Sequence, residues 1–165
     1  TKLTAPCKKI IDLSKKVINK INSLIKFCHD LNFITGQSIK HVSGSTSIST
    51  TAKKSIEQGK GVCQDFAHIL ISLARLNNIP ARYINGFLLE DLNSGENSTH
   101  AWVEIYIDDL GWVGFDPSHK KCIDEKYIRI SCGLDFRDAS TIRGVTSNYS
   151  GKENLNVKIS ITSCQ

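Results

Sequence analysis

Methionine is absent from this 165-residue chain, proline occurs only three times, and aromatic residues make up 7% of it. It contains neither a long apolar run nor a block of like charge. Each shortage excludes something. Without a run of roughly 18 consecutive apolar residues, no membrane-spanning helix is expected. Lys2, Lys8 and Lys9 flank no apolar stretch ending in a cleavage signal, so no signal peptide is read. The lack of any methionine, the initiator included, reads as a processed protein or an excised domain whose upstream part is missing. Net charge is +5, from 21 basic and 16 acidic residues, with the lysines scattered along amphipathic segments. That pattern suits a solvated surface and disfavours nucleic acid or a membrane as partner. The six cysteines, Cys7, Cys28, Cys63, Cys122, Cys132 and Cys164, form no Cys-x-x-Cys pair and are too sparse for a disulfide scaffold. Reduced thiols in a cytoplasmic protein are expected, with secretion and one or two bridges as the alternative. A structural zinc on Cys63, His68, Cys122 and Cys132 is disfavoured for the same want of paired ligands. No metal and no organic cofactor is expected.

What is present is 40% hydrophobic and 22% charged residues, the balance of one globular domain spanning 1–165. Its organising stretch runs from Gly59 to Leu76. Gly59 and Gly61 break the preceding segment, and a helical pattern starts at Cys63, with Phe66, Ile69, Leu70, Leu73, Ala74 and Leu76 on one stripe. Asn77, Asn78 and Pro80 stop it, which gives a helix over 59–77. Cys63 therefore sits in a first helical turn, among unpaired N–H groups at the positive end of the dipole. A thiolate is favoured at such a position, and the adjacent N–H groups can receive an oxyanion.

The remaining segments divide by period. Ile10, Leu13, Val17, Ile21, Leu24, Cys28 and Leu31 step by three or four and predict one long N-terminal helix within 1–34. Thr50 or Thr51 caps a short helix closed by Gly59. His68 shares the helix of Cys63 at a spacing that points it elsewhere, and reads as a structural histidine. Strands follow across 81–131. Ala81 to Glu90 is one, and in His100–Ile107 the residues Ala101, Val103, Ile105 and Ile107 face one side while His100, Trp102, Glu104 and Tyr106 face the other. Asp108–Gly111 turns the chain into Trp112–Asp116, which ends at Pro117. An odd-length loop with a bulge at Gly111 would set Trp102 opposite Asp116 and His100 diagonal to it on one face. A polar connection, 118–126, carries His119 and Cys122. Tyr127–Ser131 is a short strand, and 132–165 forms a tail loop with a last strand on Leu155, Val157, Ile159 and Ile161.

A cysteine at a helix start, a histidine on a strand and an acid on the next strand is the set that thiol acyl transfer needs: nucleophile, proton shuttle and carboxylate support. Here the sequence resembles the transglutaminase-like superfamily, in particular its bacterial branch of candidate cysteine proteases. The matching segments are Ser49-Thr-Thr, Gly59-Lys-Gly-Val-Cys-Gln-Asp-Phe-Ala-His68, Ile79-Pro-Ala-Arg-Tyr83, His100-Ala-Trp-Val-Glu104 and Gly111-Trp-Val-Gly-Phe-Asp-Pro117. Gly133-Leu-Asp-Phe-Arg-Asp138 and Arg143-Gly-Val145 extend the likeness into the tail. The resemblance covers about residues 10–162. Leu134 stands where the branch usually has Arg, and Ser140 and Thr141 stand where it usually has prolines. Both departures bear on substrate contacts more than on chemistry.

The resemblance implies an α+β, papain-like fold with the Cys63 helix packed on an antiparallel sheet, and a triad of Cys63, His100 and Asp116. Gln58, Gln64 and Trp102 are candidates for an oxyanion hole or cleft wall. Asp135 and Arg143 are read as a pair bracing the tail. The expected function is a thiol-dependent amide-acyl hydrolase acting on a peptide or protein substrate through a thioester. The alternatives are transglutaminase-type transfer to an amine, and a protein-binding module without catalysis.

Overall fold

In this computed structural model, residues 1–17, 23–89, 98–142 and 151 are described. The predicted last strand, Arg143 and Cys164 lie outside them. The first departure from expectation comes at once. The long N-terminal helix is two helices, α1 (Lys8–Ser14) and α2 (Leu24–Ser38). The α1 helix closes in a turn, with Lys16 N–H donating to Leu13 C=O and Val17 N–H to Ser14 C=O. Ser23, in extended conformation, then accepts the Lys26 N–H on its hydroxyl and caps a new helix. The apolar steps continue across the break, which is why periodicity alone merged the two.

The short helix α3 (Ala52–Gln58) starts at Thr51, whose hydroxyl accepts the Lys54 N–H, and ends at Gly59 in left-handed conformation (φ 69°). Lys40–His41 (β1) and Lys60–Gly61 (β2) pair in parallel on either side of α3. The central helix α4 (Cys63–Leu76) follows, and every residue from Asp65 to Ala74 is buried. A single buried stripe was expected. The helix is instead covered on both sides, by α1, α2 and α3 and by the sheet. Full burial of Phe66, Ile69, Leu70, Ile71 and Leu73 contributes roughly 1.5–3 kcal/mol each to the core.

The sheet contains β3 (Ala81–Leu88), β4 (Ser98–Ile107), β5 (Gly111–Asp116), β6 (Lys121–Cys122) and β7 (Tyr127–Gly133). Its order is β6-β5-β4-β3-β7, antiparallel throughout. Along β4, Ala101, Val103, Ile105 and Ile107 join the core shared with α4, as their alternation requires. Ile107 pairs with Gly111 across the three residues Asp108–Leu110, and Gly111 adopts φ 76°. From the pair Val103–Phe115, the same register sets Trp102 beside Asp116. The odd-length loop thus brings His100 and Asp116 onto one face. This is an α+β arrangement: among the described residues, four helices lie on a five-stranded antiparallel sheet.

Candidate active site

Three element ends meet here. Cys63 opens α4 behind Val62, which is extended, and the first intrahelical bond runs from Asp65 N–H to Val62 C=O. The Cys63 and Gln64 N–H groups therefore precede the helical ladder, where a helix presents its unpaired donors. Asp65 fixes this start. Its buried carboxylate accepts the Val62 N–H at 2.8 Å and the Thr46 hydroxyl at 2.6 Å, which ties the loop before α3 to the helix entrance. Only glycine fits at position 61, because a Cβ there would lie 2.6 Å from the Asp65 Cβ. Burial pushes the Asp65 carboxyl up in pKa, against the two hydrogen bonds that pull it down.

His100 on β4 and Asp116 at the end of β5 are both buried, and His100 Nε2 lies 2.7 Å from Asp116 Oδ2. Burial works against the charge on Asp116, yet hydrogen bonds from His100, His119 and Ser118 hold its carboxyl far below the usual carboxylate range. An ionised carboxylate only accepts, so Nε2 is the donor and Nδ1 is the nitrogen left for Cys63. Burial pulls the His100 imidazolium down. Hydrogen bonds to Asp116 and Cys63, with the charges on both, outweigh burial and raise it to about 9. Trp102, wholly buried, stacks on the His100 ring at 6.4 Å and backs it from inside the sheet.

Asp116 serves more than one ring. His119 Nδ1 donates to the same Oδ2 at 2.7 Å, and the Tyr127 hydroxyl donates to it at 2.8 Å. Oδ1 takes the Ser118 N–H at 2.9 Å, the Ser118 hydroxyl at 2.6 Å and the His119 N–H at 3.2 Å. None of Ser118, His119 and Tyr127 had been assigned a role from sequence. The signal for two of them was the run Asp116-Pro-Ser-His119, since an aspartate beginning a turn accepts the N–H groups that follow it.

A model of the transglutaminase-like superfamily matches residues 6–117, a span that contains Cys63, His100 and Asp116. The chain belongs to the transglutaminase-like superfamily. Over 148 residues it is 31% identical to an uncharacterised protein of Mycobacterium bovis, a match covering 84% of this chain and 46% of that relative. The crystal structure of a candidate cysteine protease from Cytophaga hutchinsonii is similar at TM-score 0.71 and 31% identity, over 85% of this chain and 46% of that one. A protein-glutamine gamma-glutamyltransferase of Pseudomonas aeruginosa is 31% identical over 82 residues, 46% of this chain and 12% of that protein. The transglutaminase-like chain thus spans about half the length of the mycobacterial relative, and less of the Pseudomonas one.

The other candidates fall apart from this centre or behind it. Gln58, exposed at the end of α3, lines a polar cleft with Gly44, Ser45, Thr46, Ser47, Thr50 and Lys54, a lining that contains none of Cys63, His100 and Asp116. Gln64 is beside Cys63 in the first turn of α4 and half-buried. His68 is buried and accepts the Phe136 N–H on Nε2 at 3.2 Å, in keeping with a structural histidine. Asp135, also buried, accepts the Asp138 N–H and braces the tail turn; its expected partner Arg143 lies outside the described residues. The five described cysteines are free thiols. Among the described residues, the group of three ligand-type side chains drawn together is His100, Asp116 and His119, which includes none of Cys63, His68, Cys122 and Cys132.

Proposed function

We propose that the protein is a thiol-dependent amide-acyl hydrolase of peptide or protein substrates, with Cys63 as nucleophile, His100 as proton shuttle and Asp116 as its support. The observation that carries this reading is the imidazole held between two partners: a buried carboxylate on Nε2 at 2.7 Å, and a hydrogen bond with the Cys63 thiol at a helix start. In the proposed cycle the Cys63 thiolate attacks the substrate carbonyl, and the oxyanion faces the N–H groups of the first turn of α4. The His100 imidazolium then gives its proton to the departing amine, leaving a thioester on Sγ. Water, losing a proton to His100, attacks the thioester. The acid leaves, and the thiolate–imidazolium pair is restored. Asp116 keeps the Nε2 proton in place and stabilises the charged ring throughout.

Replacing Cys63 with Ala abolishes turnover and leaves the fold unchanged, and mass spectrometry of wild-type protein quenched with substrate finds an acyl adduct on Cys63. Turnover that survives the substitution refutes the mechanism. A second reading, transfer of the acyl group to an amine, draws on the partial similarity to the Pseudomonas glutamyltransferase. Adding a primary amine to the reaction separates the two. Hydrolysis yields free acid at an undiminished rate, whereas transfer diverts the thioester into an amide.

A further inference from the structure

The acyl chemistry uses one imidazole on Asp116, and the structure has two. His100 Nε2 and His119 Nδ1 approach the same carboxylate oxygen, each at 2.7 Å, from different elements. The three donor atoms lie within 4.8 Å of one another. Two imidazoles and a carboxylate form a ligand set for borderline divalent cations, with room for a fourth, non-protein ligand. We propose that His100, Asp116 and His119 form a capture site for a divalent cation of the zinc class, which switches the thiol centre off when it binds.

The set is built to receive such an ion. The ligands of a tetrahedral zinc, at about 2.1 Å from the metal, stand about 3.4 Å from one another. The two 2.7 Å nitrogen–oxygen contacts therefore open a little as the metal enters between atoms that already lie within 4.8 Å, a modest rearrangement. His119 can supply it, since its side chain is 40% exposed on a turn, while the other two are buried. Its exposure also provides the entrance. The outer shell is in place: the N–H and hydroxyl of Ser118 and the N–H of His119 hold Oδ1, so the carboxylate presents Oδ2 in one orientation. Hydrogen bonds of this kind, made to the oxygen that does not face the metal, orient carboxylate ligands in metal sites. The Tyr127 hydroxyl, also on Oδ2, is a polar neighbour for a bound water.

Capture has a defined chemical consequence. Zinc binds ring nitrogens that carry no proton, so the Nε2 proton of His100 and the Nδ1 proton of His119 both leave to solvent as the metal enters. The His100 ring then loses the direct charge support of Asp116, and a cation on Nε2 draws electron density away from Nδ1. Nδ1 becomes a poor proton acceptor toward Cys63. This regulatory outcome rests on the proposed thiol chemistry; the binding itself does not.

The test therefore uses the full chain carrying Cys63→Ala, which removes both turnover and the strongest competing thiol ligand. Zinc is titrated against a chromophoric chelator, and Co²⁺ absorbance reports the coordination number. One equivalent of metal in a four-coordinate site is expected. Adding His119→Gln, which keeps an N–H donor for Asp116, is expected to weaken binding at least ~10-fold. Ring NMR signals of His100 and His119 should shift together on zinc addition, a readout that needs no change at position 119. Equal affinity with and without His119 or no binding by the Cys63→Ala chain would overturn the proposal. So would shifts at His29, whose Nε2 lies 4.0 Å from the Cys122 sulfur, in place of His100 and His119. In the wild-type enzyme, zinc inhibits turnover and a chelator restores it. Absence of any turnover would count against the acyl reading while leaving the metal measurement intact.

Discussion

Raising the pH from 6.5 to above 9 removes about 3 kcal/mol of folding stability through His100. The magnitude follows from the ring's surroundings. Its ordinary value is 6.5, and the bonds to Asp116 and Cys63 overcome burial and raise it to about 9. The difference, 9 − 6.5 = 2.5, at ~1.4 kcal/mol for each pH unit gives roughly 3 kcal/mol. The side chain is 8% exposed, so solvent screening takes little from that figure. The sign is fixed by proton binding. Between 6.5 and 9 the folded ring keeps a proton that the unfolded chain has released, so stability is complete below 6.5 and falls as pH rises through the window. Urea unfolding at half-unit pH steps measures it, with the fluorescence of buried Trp102 as the probe. Asp116→Asn is expected to flatten the fall, because an amide cannot hold the imidazolium. If wild type and His100→Gln lose stability in parallel across the window, the coupling is refuted.

His68 governs the opposite limb. Burial lowers it from 6.5 to about 4, so the unfolded chain binds the extra proton there and stability rises by roughly 3 kcal/mol as pH climbs through that interval. His68→Gln should level that rise in the same urea series, and an unchanged acid limb would contradict it. Gly61→Ala forces the Asp65 side chain off the helix entrance, costing about 1–3 kcal/mol and slowing alkylation of Cys63 relative to the other cysteines. Equal midpoints and equal labelling would show that Asp65 yields without effect. The buried carboxylate of Glu104 binds Arg82 at 2.6 Å and Arg129 at 3.1 Å, and the Arg82 guanidinium also lies 4.1 Å over Trp112. Arg82→Ala should cost about 1–3 kcal/mol, since it leaves the buried carboxylate to the more exposed Arg129, and Arg129→Ala, which leaves the closer Arg82 bond in place, below about 1 kcal/mol. The reverse order in thermal unfolding would reject that division.

The parts of this molecule that could be read in advance are those set by backbone period and by chain-end chemistry. Thr51 and Gly59 bracket α3 because a hydroxyl and a left-handed glycine satisfy helix ends wherever they occur. Alternation in β4 and a three-residue loop place His100 and Asp116 on one face, so two site residues followed from counting. What escaped depends on packing across the chain. Apolar spacing shows that a helix has a buried face and is silent on how many layers cover it, and so α4 read as half-buried. The same spacing ran on through Ser23, where a single capping hydroxyl decides that the helix restarts. The braces on Asp116 were the hardest to foresee. Tyr127 reaches it from β7, which β3 and β4 separate from β5 in the sheet order, and nothing local to Tyr127 marks that contact. His119 is three residues away and belongs to a turn that an aspartate commonly begins, so its backbone contact was readable. Its ring contact was not, because it depends on a side-chain torsion selected by a carboxylate that is already buried. A turn residue can thus be given a place from sequence, while its chemistry waits on what the rest of the fold has desolvated.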